Sequence, residues 1–204
     1  MCTAGILVMT AVIGGTLAGF NTTTEQKSVS NITVKSLGIQ MVGTGQTETL
    51  EENTLKDHVI PGGTVGLEKN IVNNVRDGYD VYTRVTIDKQ WENKELDSSL
   101  IQLFASEEEL VQGEKINDWF VWHADDEQII MYYSKPLKAG ESTSDFISRL
   151  DFSHKMNNNY TKAEVNISFR ADAIQVIAAE DAMPSEWGIY PVIDENGIIT
   201  AIEE

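Results

Sequence analysis

Residues 163–178 read AEVNISFRADAIQVIA, and this stretch decides the fold. Val165, Ile167, Phe169, Ala171 and Ala173 are apolar and alternate with Asn166, Ser168, Arg170 and Asp172. Period-2 alternation is the mark of a strand with one face in a core and the other in water. The phase then flips, because Ile174, Val176 and Ala178 place apolar side chains at even positions. A flip of one residue sends every later side chain to the opposite face, so the sequence predicts a bulge or a sheet crossing here. Trp187 lies just downstream and is the expected cover for the Ile174/Val176 side.

Outward from this strand, the chain is rich in similar segments. Residues 79–87, YDVYTRVTI, place Tyr79, Val81, Thr83, Val85 and Ile87 on one face and Tyr82, Arg84 and Thr86 on the other, with Trp91 at the end. Residues 31–42, 64–72, 100–104 and 146–152 supply further strand candidates, and the Pro61-Gly62 pair predicts a turn before the second of them. WFVWHA and QIIMYYSKPL flank Asp125-Asp126-Glu127, as in a hairpin. Residues 189–202 read as a terminal hairpin turning at Glu195-Asn196-Gly197. Ser106 followed by Glu109 has capping-box spacing, which predicts a short helix from Ser106 to about Gln112. Residues 179–187 read as irregular or briefly helical. The spacing predicts an all-β fold: a two-sheet antiparallel, jelly-roll-like sandwich with one or two short helices.

The chain has 204 residues, 41% of them hydrophobic, which suits one domain with a sizeable core. Its formal charge of −17 repels nucleic acid and anionic lipid, so neither is expected as a partner. Cys2 is the single cysteine, so no internal disulfide is possible. Residues 1–20, MCTAGILVMTAVIGGTLAGF, are apolar, small and uncharged. They match the hydrophobic region and small-residue cleavage site of an export signal, with Ala18 and Gly19 in the cleavage region. A retained membrane anchor is the alternative. The expected organisation is an export signal or apolar segment at 1–19, a polar arm at 20–30, a β-sandwich at 31–188 and a C-terminal hairpin extension at 189–204. After processing no membrane partner is expected, and a secreted, disulfide-free chain suits a Gram-positive exporter.

Motifs for chemistry are wanting. His58, His123 and His154 form no His-Glu-x-x-His pair. There is no Gly-x-Ser-x-Gly elbow, and GGTVG at 62–66 lacks the Lys-Ser/Thr of a phosphate loop. The acidic clusters Asp77/Asp80 and Asp125/Asp126/Glu127 lack calcium-loop spacing. Trp119 and Trp122 near Asp125 could stack on a sugar, and a hairpin core explains them as well. No catalytic, metal or cofactor-binding residue is assigned, and no cofactor is expected.

Four blocks, in order along the chain, resemble the TasA/camelysin family of exported bacterial proteins. They are GGTLAGF at 14–20, VIPGG at 59–63 with the following strand YDVYTRVTI, YYSKPLKAGE at 132–141, and RADAIQ at 170–175 with Trp187 downstream. The resemblance implies a jelly-roll-like sandwich, cleavage by a dedicated signal peptidase, and secretion to the cell surface or biofilm matrix. It further implies a fibre subunit whose partners are copies of itself or related matrix subunits. In such fibres the N-terminal arm of one subunit completes the sheet of the next. Here that arm is residues 20–30, with Phe20 and Val29 as its apolar anchors. Camelysin is described as a metalloprotease, but the sequence offers no zinc-ligand set to which that activity could attach. Two alternatives accompany the structural reading: a camelysin-like secreted metalloprotease, and a cell-wall or host-surface binding module using Trp119, Trp122 and Tyr133.

Overall fold

A computed structural model of the chain describes residues 22–26, 39–45, 54–55, 59–74, 78–160 and 163–203, with backbone alone at 22–26, 42–45 and 54–55. The strands run in chain order: β1 Thr22–Gln26, β2 Ile39–Gly45, β3 Thr54–Leu55, β4 Thr64–Asn73, β5 Val81–Trp91, β6 Ile101–Ala105 and β7 Glu108–Glu109. They continue with β8 Lys115–Ile116, β9 Trp119–Ala124, β10 Gln128–Tyr133, β11 Ile147–Phe152, β12 Val165–Gln175, β13 Tyr190–Ile193 and β14 Ile199–Glu203. One α-helical turn, α1 Ala179–Ala182, precedes a π-helical turn at Met183–Trp187.

The strands form a two-layer antiparallel sandwich. One sheet has the order β1-β12-β5-β10-β9-β8, with β3 also on β12, and the other has the order β2-β4-β11-β6-β7. The pairings are nested: β6 with β7, β5 with β10, β4 with β11, and β1 with β12. Nested antiparallel pairs shared alternately between two sheets are the topology of a jelly roll, one long double ribbon folded over on itself. The first strand of that ribbon is β1, within the arm.

Alternation explains the core. On β4, odd positions from Val65 to Asn73 are buried while even ones are exposed or half-buried. On β12, Val165, Ile167, Phe169, Ala171 and Ala173 all face the other sheet, as their alternation predicts. Two aromatic groups seal the layer. Trp91 packs on Phe152 and Tyr160, and Trp119 packs on Tyr133 and Phe146. Burying each such ring contributes roughly 1.5–3 kcal/mol. The Pro-Gly turn forms as expected. Gly62 has φ of 75°, and a Cβ there would collide with the His154 ring, so only glycine fits.

Three expectations fail. There is no bulge or crossing at Ala171–Ile174. β12 pairs with β5 in one unbroken register from Val165↔Trp91 to Gln175↔Val81. Ile174 is apolar because the outer face of the sheet acquires its own cover at this end. A second buried cluster joins Ile174, Tyr82 and Tyr132 to Ala182, Met183, Trp187, Ile189 and Ile199. Trp187 thus does cover the Ile174 side. The Ser106 helix is also absent. Ser106 sits at φ of 55°, in the left-handed region, and turns β6 into β7. A capping box closes a helix that an apolar repeat then propagates, and EEELVQGEK has none. Tyr79, expected on the same strand face as Val81, Thr83, Val85 and Ile87, precedes β5 and is exposed.

Candidate assembly site

One edge of β12 lies against β5 along the whole strand. The opposite edge is covered in pieces: β3 pairs at Val165–Asn166, and β1 runs antiparallel from Gln26↔Phe169 to Thr22↔Ala173. Among the described strands, β1 is hydrogen-bonded to β12 alone. An edge whose N–H and C=O groups are satisfied by a short terminal strand is a natural place for another chain to pair.

Beside this edge, the outer face of the sheet carries buried charge. Asp172 is 1% exposed, and Arg84 on β5 is its register partner. The Arg84 guanidinium donates through Nε, at 2.9 Å, and through Nη2 to the same oxygen, Oδ2 of Asp172. Arg170 Nε lies 3.9 Å from that oxygen. Oδ1 of Asp172 is buried and finds no hydrogen-bond partner among the described residues. Such a pair is costly to desolvate and costly to break. The lid over it is the helical turn and the terminal hairpin: the Arg84 guanidinium is 5.4 Å from the Trp187 ring centroid. Tyr132, opposite Arg84 on β10, has its phenol pKa raised by burial. The Tyr82 hydroxyl donates to the Gly197 carbonyl and anchors the hairpin turn to the sheet. Burial, with the Asp194 carboxylate adding to it, pushes the Tyr82 pKa up to about 12. Asp194 closes that turn by accepting from the Asn196 and Ile198 amides.

Sequence reading placed the arm anchors at Phe20 and Val29 and the cleavage region at Ala18 and Gly19, and all four lie outside the described residues. It did not single out Arg170, Asp172 or Arg84. The signal was present, since all three stand on polar rows of amphipathic strands, but a pairing across 88 residues has no local trace.

Other candidates dissolve into structure. Trp119 is fully buried and its Nε1 donates to the Ser144 carbonyl, while Tyr133 is 6% exposed. These two belong to the inter-sheet core and offer no sugar platform; Trp122 packs on Tyr132 in the outer cluster. His123 Nε2 is 3.0 Å from Asp125 Oδ2, while Asp125 Oδ1 accepts from the Glu127 and Gln128 amides, so this acid is a turn-former. His58 and Asp77 lie outside the described residues. Among the described residues, no group of three or more His, Cys, Asp and Glu side chains could hold a metal ion. A cavity of about 240 Å³ opens between β6–β7 and the β9–β10 turn, with Lys89 in its wall. The Lys89 amine donates to the Ser98 and Ile101 carbonyls, and burial lowers its pKa. That amine ties a loop down within the cavity wall, which Gln102, Glu109, Asp125 and Asp126 share.

The fold defines the chain as an all-β sandwich protein of jelly-roll type. No family model, no curated protein and no solved structure matches it. Among the described residues, no helix is long and apolar enough to cross a membrane.

Proposed function

We propose that this chain is a secreted structural protein of the cell surface or biofilm matrix, a fibre subunit that assembles by donor-strand exchange through its N-terminal arm. The observation that carries the reading is the place of β1: the outermost strand of the nested ribbon, five residues long, bonded on one side to β12. An identical strand from a second copy makes the same bonds to β12, so exchange costs no contacts and is decided by concentration and by the connecting segment. The resemblance of the 14–20, 59–87, 132–141 and 170–175 blocks to TasA-like proteins points the same way, as does the export-like character of residues 1–20.

Electron microscopy of the purified protein, with and without residues 20–30, tests it. Filaments that vanish with the deletion support the reading. Filaments indifferent to it remove the donor-strand step, and protein that stays monomeric even in cell extracts removes the fibre role. Metal analysis with casein digestion tests the proteolytic alternative, and bound metal with cleavage would replace the structural reading.

A further inference from the structure

On the assembly reading, β12 must accept this strand in one register, and something on the sheet must fix it. The arm segment Thr-Thr-Thr-Glu-Gln offers no apolar pattern to fix itself. Backbone bonds are indifferent to a slip of two residues, which keeps every side chain on its face. The outer row of β12 is not indifferent. Arg170 stands opposite Glu25, and Asp172 stands opposite Thr23. Directly opposed positions on antiparallel strands hold their Cβ atoms roughly 4.5–5.5 Å apart, within reach of an ion pair or a hydroxyl–carboxylate bond. Asp172 has one oxygen engaged by Arg84 and one buried oxygen without a hydrogen-bond partner among the described residues. Arg170 is part-exposed beside it.

We propose that Arg170 and Asp172 form a two-residue reader that selects a docking strand carrying a hydroxyl opposite Asp172 and a carboxylate opposite Arg170. That pattern is Thr23-x-Glu25, and the strand is that of a second copy of this chain. Slipping the strand by two residues one way sets Glu25 against Asp172 and Lys27 against Arg170, like charges at both positions. Slipping it the other way sets Thr23 against Arg170 and Asn21 against Asp172, which forfeits the ion pair. The reader therefore fixes register and excludes strands of other sequence with the same pair of side chains.

Charge exchange in the full-length chain tests this. Glu25→Lys and Arg170→Glu are expected to lower filament mass, each alone, by roughly tenfold or more, because like charges then oppose one another. Mixing the two variants is expected to restore filaments as an alternating copolymer, since each arm then meets a groove of opposite sign. The double variant E25K/R170E is expected to recover by itself. Thr23→Ser is expected to assemble as wild type, and Thr23→Val to be impaired. If the single variants assemble normally while deletion of residues 22–26 stops assembly, the reader is overturned and donor-strand exchange survives. If that deletion changes nothing, the exchange reading fails first. If the wild type forms no filaments, the exchange reading fails and the reader, as a selector of a second copy's strand, fails with it.

Discussion

The two faces of β12 are built on different physics. Its inner face meets another sheet, and every inward residue from Val165 to Ala173 is apolar and buried. Its outer face meets β1's register row at one edge and a terminal cap above, and it buries a carboxylate, Asp172, against Arg84 under Trp187. The inner face gains by removing hydrocarbon from water, which is non-directional and tolerant. The outer face gains only if charge and hydrogen-bond geometry are met, which is directional and selective. The fold's stability resides mainly inside, and its selectivity outside.

The largest effect that separates the faces is a cavity in the inner one. Phe146→Ala removes a fully buried ring packed on Trp119 and Phe169. It is expected to cost about 3–5 kcal/mol in urea unfolding, with an unchanged m-value. Next comes Asp172→Ala, which strands Arg84 and is expected to cost about 3 kcal/mol by the same measurement. The paired change Arg84→Met with Asp172→Leu is expected to restore most of that stability, since replacing a whole buried pair by apolar groups is often neutral. An equal loss in the single and paired variants would contradict the division between faces. Trp187→Ala comes third, at roughly 3 kcal/mol, the low end for a tryptophan because the ring sits at the edge of the outer cluster, and local in character. Hydrogen exchange should show β13 and β14 opening ahead of β5 and β12 in that variant.

Much of the inner face was legible because burial between sheets imposes a period of 2 on β4, β5 and β12. The outer face was legible only as an error of phase. Ile174 breaks the alternation because something covers it, and its cover comes from residues 176–202. A sequence displays which positions are apolar but not which surface arrives to meet them. A bulge and a lid therefore write the same local pattern. Ser106 misled for a related reason: Ser-x-x-Glu satisfies the ends of a helix without the apolar repeat that gives a helix a place to pack. The Arg84–Asp172 pair and the opposition of Arg170 to Glu25 depend on register between distant strands, which only the folded sheet defines.

The smallest expected effect concerns the tie between the cap and the sheet. The Tyr82 phenol is buried, donates to the Gly197 carbonyl and faces the Asp194 carboxylate, so its pKa rises from an ordinary 10 to about 12. A raised acid pKa means that folding favours the neutral phenol. The stabilisation is complete below pH 10 and is lost as pH climbs to about 12, because the unfolded chain ionises there first. Tyr132 and Tyr133 are shifted up by burial and act in the same sense, whereas Lys69 and Lys89 are shifted down by burial and act in the opposite one. Total stability in this window is thus a balance, and Tyr82 must be isolated by difference. Tyr82→Phe is expected to lose the Gly197 hydrogen bond at neutral pH, at about 1 kcal/mol, and to converge on the wild type between pH 10 and 12. Urea midpoints of both chains across that range decide it. A constant gap would mean that the phenol is not held neutral by the cap. A closing gap would place the alkaline weakness of the molecule where the hairpin meets the sheet.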